Sequence, residues 1–249
     1  TAQNARGTDM PFRYEQNVES EDGNNVYLTI DETIQSICEK YMQKGVEDNN
    51  VLNKGVCIAM DVNTGAILAM VTTDGYDLNN PYELSAKDKK KIKSTPKKKQ
   101  EAESAALSNM WRNKAVADTY MPGSVFKMCV ASAALEENLV NEKTSFTCTG
   151  SISVEGETIH CSNISGHGTQ NFVEVISNSC NPAFIQIGQM LGAGKFRQYY
   201  QGFGFSDKTG IDLPGEAEDS FWKEGKMGGV DLAVASFGQN FSITPIQMI

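Results

Sequence analysis

Residues 122–127 read Pro-Gly-Ser-Val-Phe-Lys and open directly onto the apolar run Met128-Cys129-Val130-Ala131-Ser132-Ala133-Ala134-Leu135. A run of that kind predicts a helix over about 124–138 that can be buried in a core. Positions i and i+3 share a helix face, so Lys127 Nζ is expected within reach of Ser124 Oγ. The helix start also offers free N–H groups and a positive dipole end, which favour a developing anion. This is a nucleophile beside a base, suited to attack on an acyl carbon.

The three-residue spacing alone is weak, because it recurs at Ser94/Lys97 and at Ser220/Lys223. Ser94 lies in a lysine-rich stretch beside Pro96, and Ser220 precedes the polar, glycine-containing Lys223-Glu224-Gly225-Lys226. Neither begins an apolar helix. A second candidate constellation is Ser179-Cys180-Asn181, which follows the apolar Phe172, Val173, Val175 and Ile176 and precedes a helix-starting Pro182. Serine and asparagine are also ordinary helix caps, so this pair gains catalytic meaning only together with Ser124 and Lys127.

Composition narrows the class. The 249 residues are 40% hydrophobic and 21% charged, enough for a sizeable core in one large domain. A net charge of −9 argues against nucleic acid as the main partner. No run of about eighteen apolar residues appears, and no signal peptide. Residues 1–25 read as an extended polar linker, and residues 26–249 as the folded domain.

Within that domain Val26–Ile30 is expected as a strand, followed by a helix capped by Asp31 with Ile34, Ile37, Cys38, Tyr41 and Met42 on its apolar face. Residues 55–61 and 66–71 flank Val62-Asn63-Thr64-Gly65 as a hairpin of two apolar, central strands. The run from Lys87 to Lys99, inside a basic insertion at about 86–104, reads as a solvated mobile insertion or as a contact for an anionic polymer. Residues 146–162 form a small hairpin around Glu155-Gly156; helices follow at about 170–178 and 183–191, then a loop-rich region from Gly202 to Pro245.

Six cysteines are present, and Cys38, Cys57 and Cys129 fall in apolar patterns as core thiols. The others fall in one region with His167, as Cys148-x12-Cys161-x5-His167-x12-Cys180. Three thiols and an imidazole are a full tetrahedral zinc set, although the spacing is looser than in a zinc finger. A disulfide, or three unrelated thiols, remain alternatives; a disulfide would leave one thiol odd. His160 is expected to alternate out of its strand while Cys161 faces inward.

Ser124-x-x-Lys127 and Ser179-x-Asn181 resemble the first two motifs of penicillin-binding proteins. The resemblance extends to Asp118–Ser124, His167-Gly168, Thr209–Glu216, Phe237-Gly238-Gln239-Asn240, Leu28–Gln35 and Met60–Met70. The chain is similar to class B members of the family, especially the elongation and sporulation-cortex types. The resemblance implies an α+β, three-layer α/β/α serine transpeptidase fold, without its C-terminal strands. It implies a peptidoglycan DD-transpeptidase using Ser124, Lys127, Ser179 and Asn181, with stem peptides as substrates and β-lactams as acylating inhibitors. Some elongation-type members carry a structural zinc beside the active site, at positions matching Cys148, Cys161, His167 and Cys180. A SEDS-type glycosyltransferase partner and an extracytoplasmic location, anchored by an N-terminal transmembrane helix outside this chain, are implied as well. The family's Lys-Thr-Gly motif is expected beyond Ile249; Lys208-Thr209-Gly210 has those letters, but lies too close to Pro214-Gly215 for a sheet-edge strand.

Overall fold

In the computed structural model, which describes residues 22–51, 55–73, 75–92 and 96–249, the first regular element is the helix that Asp31 caps. Asp31 Oδ1 accepts the Ile34 N–H at 2.9 Å and satisfies a free donor in the first turn of α1 (Glu32–Asp48). The preceding segment, expected as a strand, is exposed and carries no ladder among the described residues. Thr29 Oγ1 donates to Ile67 O at 2.6 Å, and just past the segment Asp31 N donates to Leu68 O at 2.9 Å. High β-propensity makes a strand only where another strand lies alongside. Most of the expected linker, residues 1–21, lies outside the described residues.

β1 (Val56–Met60) and β2 (Ile67–Thr72) form the expected antiparallel hairpin, with Cys57 opposite Val71 and Ala59 opposite Ala69. Gly65 closes the turn in the left-handed region at φ 72°, donating its N–H to Asp61 O at 2.8 Å. Among the described residues each strand pairs only with the other, so neither is central in a larger sheet.

The basic segment carries helices that the sequence reading did not assign. Apart from residues 93–95, which lie outside the described residues with part of the Ser94/Lys97 match, it is mostly helical: α2 (Ala86–Lys91) and α3 (Pro96–Trp111). Lysine is a good helix former, Pro96 suits a first turn, and Ser85 Oγ caps α2 by accepting the Asp88 N–H at 3.1 Å. Trp111 Nε1 then anchors α3, donating to Pro81 O at 2.7 Å.

α4 (Lys114–Ala117) leads to a single tight helical turn, Gly123–Phe126, that runs straight into α5 (Lys127–Glu136). Two short antiparallel pairs follow, β3 (Ser145–Cys148) with β6 (Gly168–Asn171) and, between them, β4 (Ser151–Val154) with β5 (Glu157–His160). The second pair is the expected hairpin, turning at Glu155-Gly156; the first is not evident from local sequence. α6 (Phe172–Ser177) begins with a capping box, Asn171 Oδ1 accepting the Glu174 N–H at 3.0 Å. α7 (Asn181–Gly202) is longer than expected, because a single non-helical residue, Gly192, links two helical stretches. α8 (Gly229–Ala235) and α9 (Pro245–Met248) complete the chain, the former inside a region expected to be loop.

Packing follows from alternation. Val56 and Ile58 on β1 and Met70 on β2 join Ala115, Val116 and Ile246 in one apolar cluster, placing α4 and α9 on one face of the hairpin. Cys57 points the other way, toward Cys38 of α1. The hairpin is therefore a β-layer between helices. The main core lies where α5 packs on α7, with Phe126, Val130, Ala134, Phe184 and Ile187 all buried. Phe126 meets Phe241 edge-on at 4.9 Å, and Tyr200 stacks on Phe221 at 3.8 Å. Burying Phe126 contributes on the order of 2–3 kcal/mol and fixes the turn that carries Ser124. No helix among the described residues is long and apolar enough to cross a membrane.

Candidate active site

Ser124 lies in the turn ahead of α5 with its side chain open to solvent, whereas Lys127, one turn later, is only 1% exposed. The turn is held from behind by the Phe237–Asn240 segment. Gly123 N donates to Gly238 O at 2.9 Å, and a methyl group on Gly238 would sit 2.0 Å from Gly123 O. Gly238 also has φ +80°, so only glycine allows this approach without strain. Tyr120 and Ile243 exchange backbone hydrogen bonds at 2.9 and 3.1 Å, fixing the other side of the same strap.

Lys127 Nζ reaches across to the loop between α6 and α7. It donates to Ser179 O at 2.7 Å, Ser179 Oγ at 2.9 Å and Asn181 Oδ1 at 2.7 Å. An ammonium has three donors, and all three are used. Among the described residues no hydrogen bond joins Lys127 Nζ to Ser124 Oγ, so the direct contact expected from the i, i+3 spacing is not made. The same face is shared, but the amine is saturated by the opposite loop. Burial lowers its pKa to about 8, against an upward pull from Cys180 and Cys161. No carboxylate pairs with it among the described residues, so the desolvation outweighs that pull.

The loop is built to present these groups. Ser179 has φ 48°, left-handed for a non-glycine residue, a strain that persists only where surroundings enforce it. Ser179 N and Cys180 N donate to Ile176 O and Val175 O at 3.0 and 3.1 Å, closing the end of α6. Cys180 is the N-cap of α7, and Pro182 sits in its first turn, so Asn181 projects from a helix start. Asn181 Nδ2 donates to His160 O at 3.3 Å, which ties the loop to β5. The four residues singled out from the sequence thus meet in one place: Ser179, Asn181 and Lys127 by hydrogen bonds, and Ser124 one helical turn away.

The sulfur-bearing set converges beside them. Sγ of Cys148, Cys161 and Cys180 and a ring nitrogen of His167 all lie within 4.8 Å of one another, the three cysteines being buried free thiols. Cys161 Sγ and His167 Nδ1 are 3.6 Å apart. A tetrahedral ion with bonds of about 2.3 Å to sulfur and about 2.0 Å to nitrogen sets S···S near 3.8 Å and S···N near 3.5 Å, so these donors fit such an ion. Cys161 faces inward and His160 outward, as alternation requires. Burial, with a smaller contribution from the neighbouring Cys148, pushes the Cys180 thiol up to about 12.

The decoys separate cleanly. Lys208-Thr209-Gly210 is exposed and outside any strand; Thr209 N and Oγ1 both donate to Glu216 Oε1 at 2.7 Å, and Lys208 faces Glu218 at 3.6 Å. Ser220 forms an isolated bridge with Ser242 and starts no helix. One buried polar residue of the site escaped sequence reading, Gln170 on β6, 3% exposed and opposite Phe146. The period-2 pattern of that short strand was the available signal.

An exposed serine at a helix start, a buried lysine and a Ser-x-Asn loop share this α+β scaffold, an arrangement suited to serine-based acyl transfer. The profile of the penicillin binding protein transpeptidase domain matches residues 55–249, and the chain belongs to that family. It is 34% identical over 246 residues to stage V sporulation protein D of Bacillus subtilis (strain 168), covering 98% of this chain and 35% of that protein. It is 28% identical over 239 residues to the peptidoglycan D,D-transpeptidase MrdA of Acinetobacter baumannii, covering 91% of this chain and 33% of that one. The chain therefore spans about a third of the length of these relatives. Among solved structures, the apo transpeptidase domain of Burkholderia pseudomallei penicillin-binding protein 3 superposes with a TM-score of 0.71 at 23% identity, over 92% of this chain and 57% of that one. That likeness concerns the fold.

Proposed function

We propose that the protein containing this domain is a peptidoglycan DD-transpeptidase working through an acyl-enzyme on Ser124, and that β-lactams acylate the same serine. The observation that carries the reading is Lys127 Nζ held at 2.7–2.9 Å to Ser179 and Asn181, one turn from an exposed serine. Neutral Lys127 takes the proton from Ser124 Oγ as Oγ attacks the carbonyl carbon of the D-Ala-D-Ala peptide bond. The Ser124 N–H, free at the helix start, donates to the developing oxyanion. Ser179 Oγ relays a proton to the departing amine, the C–N bond breaks, and free D-Ala leaves an ester on Ser124. The amine of a second stem peptide then attacks that ester, forms the cross-linking amide and returns the proton to Ser124. Asn181 holds the substrate backbone.

The donor set of Cys148, Cys161, His167 and Cys180 supports a structural zinc. Four protein ligands would leave no open position on it, so its contribution is to fix the loop around Cys180 rather than to activate water. By family resemblance the protein acts on the outer side of the cell membrane, tethered by a segment preceding this domain, beside a SEDS-type glycosyltransferase.

The test is covalent labelling of the full-length protein with fluorescent penicillin. The adduct should form and be lost in Ser124→Ala; a wild-type protein that never forms it refutes the transpeptidase reading, and rapid hydrolysis of the adduct would mark a β-lactamase instead. Metal analysis of the purified protein is expected to find one zinc per chain.

A further inference from the structure

Gln170 carries a polar group that nothing among the described residues satisfies. Its side chain is 3% exposed, and Nε2 is buried with no hydrogen-bond partner among the described residues. Orphaned buried donors are rare and call for an explanation, since leaving one unpaired is unfavourable. The other end of the amide is occupied: Oε1 accepts from Asn178 Nδ2 at 3.0 Å. Turning Gln170 over alone would set two NH2 groups against each other, so Asn178 fixes which end faces inward. Its side chain enters the core on the same face of the β3–β6 pair as Cys148, and its Asn178 partner stands two residues before Cys180, so the amide lies among the sulfur-bearing residues.

Strand alternation places it there. On β3 Phe146 and Cys148 point into the core; on β6 Gln170 does the same, directly opposite Phe146, while Thr169 points out and meets Thr147 at 3.3 Å. His167 immediately precedes β6, so one short strand brings in both a ligand and the amide. A glutamine here is costly in an apolar layer unless it meets a charge.

We propose that Gln170 is a positioning residue of the metal centre, donating its Nε2–H to a thiolate of the cluster when the ion is bound. The inference rests on the reading of Cys148, Cys161, His167 and Cys180 as a metal site. Three thiolates around a divalent ion leave a net negative charge, and an N–H aimed at one sulfur spreads it. A thiolate is a far stronger acceptor than a neutral thiol, so the donor is suited to a metal-bound sulfur. The same residue ties the cluster to the catalytic loop, because its Asn178 partner directly precedes Ser179.

Zinc affinity of the full-length protein, measured by competition with a chromophoric chelator, tests this against Gln170→Met, which keeps the volume and removes the donor. The expected loss is about 10–100-fold in affinity, the range seen when such outer partners are removed. With cobalt in place of zinc, the sulfur-to-cobalt charge-transfer band should move to longer wavelength, because the thiolate loses a stabilising donor. Thermal melting of the metal-free protein should be little changed, whereas a merely structural glutamine would lower metal-free and loaded forms alike. Unchanged affinity with an unshifted band, in a wild-type protein that does bind metal, overturns the role of Gln170 alone. A wild-type protein that binds neither zinc nor cobalt overturns the metal-site reading and this one with it. If Gln170→Met fails to fold, Gln170→Glu carries the test, keeping the acceptor for Asn178 while placing a carboxylate toward sulfur; wild-type affinity and an unshifted cobalt band in that variant would also refute the proposal.

Discussion

Gly238→Ala should disable the nucleophile without touching it. The added methyl would lie 2.0 Å from Gly123 O and 2.7 Å from both Gly123 C and N, where ordinary contact begins at 3.4 Å. All three atoms are backbone, so no side chain can swing aside, and the strap and the serine turn must separate by about 1.4 Å. Two costs add. Alanine at φ +80° is disfavoured by about 1–2 kcal/mol, and the forced shift adds about 1–3 kcal/mol. Together these predict a melting temperature lower by about 5–15 °C for a domain of this size. The kinetic effect should be larger in proportion, since a displacement near 1 Å at a reacting group can cost about 100-fold in rate. The assay is the second-order rate of acylation by fluorescent penicillin, measured below the melting transition. Gly65→Ala is the control: φ is +72° but the space around it is open, so it should lose only the conformational part, with acylation unchanged. Equal acylation rates for Gly238→Ala and wild type would refute the argument that this backbone contact sets the position of Ser124.

Acylation should rise with pH through about 8 and then level off, because the active base is the neutral amine of Lys127 and burial lowers its pKa to about 8. A rise centred near the ordinary lysine value would show that the amine is not desolvated as described. The same shift means that the folded state holds fewer protons than the unfolded chain between about 8 and 10.5, so stability should increase with pH across that window. Stripping metal with a chelator should lower the melting temperature and slow penicillin acylation together; an unchanged melting curve would remove the structural role of the cluster. Tyr200→Phe should cost about 1.5–3 kcal/mol, because the Tyr200 hydroxyl donates to Asp219 Oδ2 at 2.9 Å, with labelling of Ser124 retained. Denaturant unfolding checks it, and a loss below about 0.5 kcal/mol would show that water replaces that bond.

The residues that meet at the candidate site were more legible than the architecture around them. Ser124, Lys127 and Asn181 stand out because each sits at a helix start, and Ser179 because it falls in a short connection between two helices, where caps, prolines and apolar runs leave strong local signals. Cys148, Cys161, His167 and Cys180 stand out by residue type. What sequence could not supply was orientation across the chain. Lys127 shares a face with Ser124, yet its three donors go to a loop more than fifty residues away, a choice set by the packing of α5 on α7. Val26–Ile30 has the composition of a strand and lacks a neighbour. The basic segment reads as solvated charge, and Lys89, Lys90, Lys98 and Lys99 are exposed, but lysines on a capped turn still make helices. α8 hides behind Gly228-Gly229, its start marked only by Asp231 reaching back to Gly228 N at 3.0 Å. The pairing of β3 with β6 depends on closing a loop of some twenty residues, which no local pattern encodes.

Ser179, Cys180 and Asn181 are consecutive, and in the proposed mechanism their side chains serve separate ends, the first on the proton path, the second in the sulfur cluster, the third against the substrate backbone. No residue of the three can drift in evolution without disturbing its neighbours, so drug-resistant variants of this domain should spare the tripeptide. Escape from β-lactams would have to be sought in the walls of the cleft, where change carries no penalty inside the core.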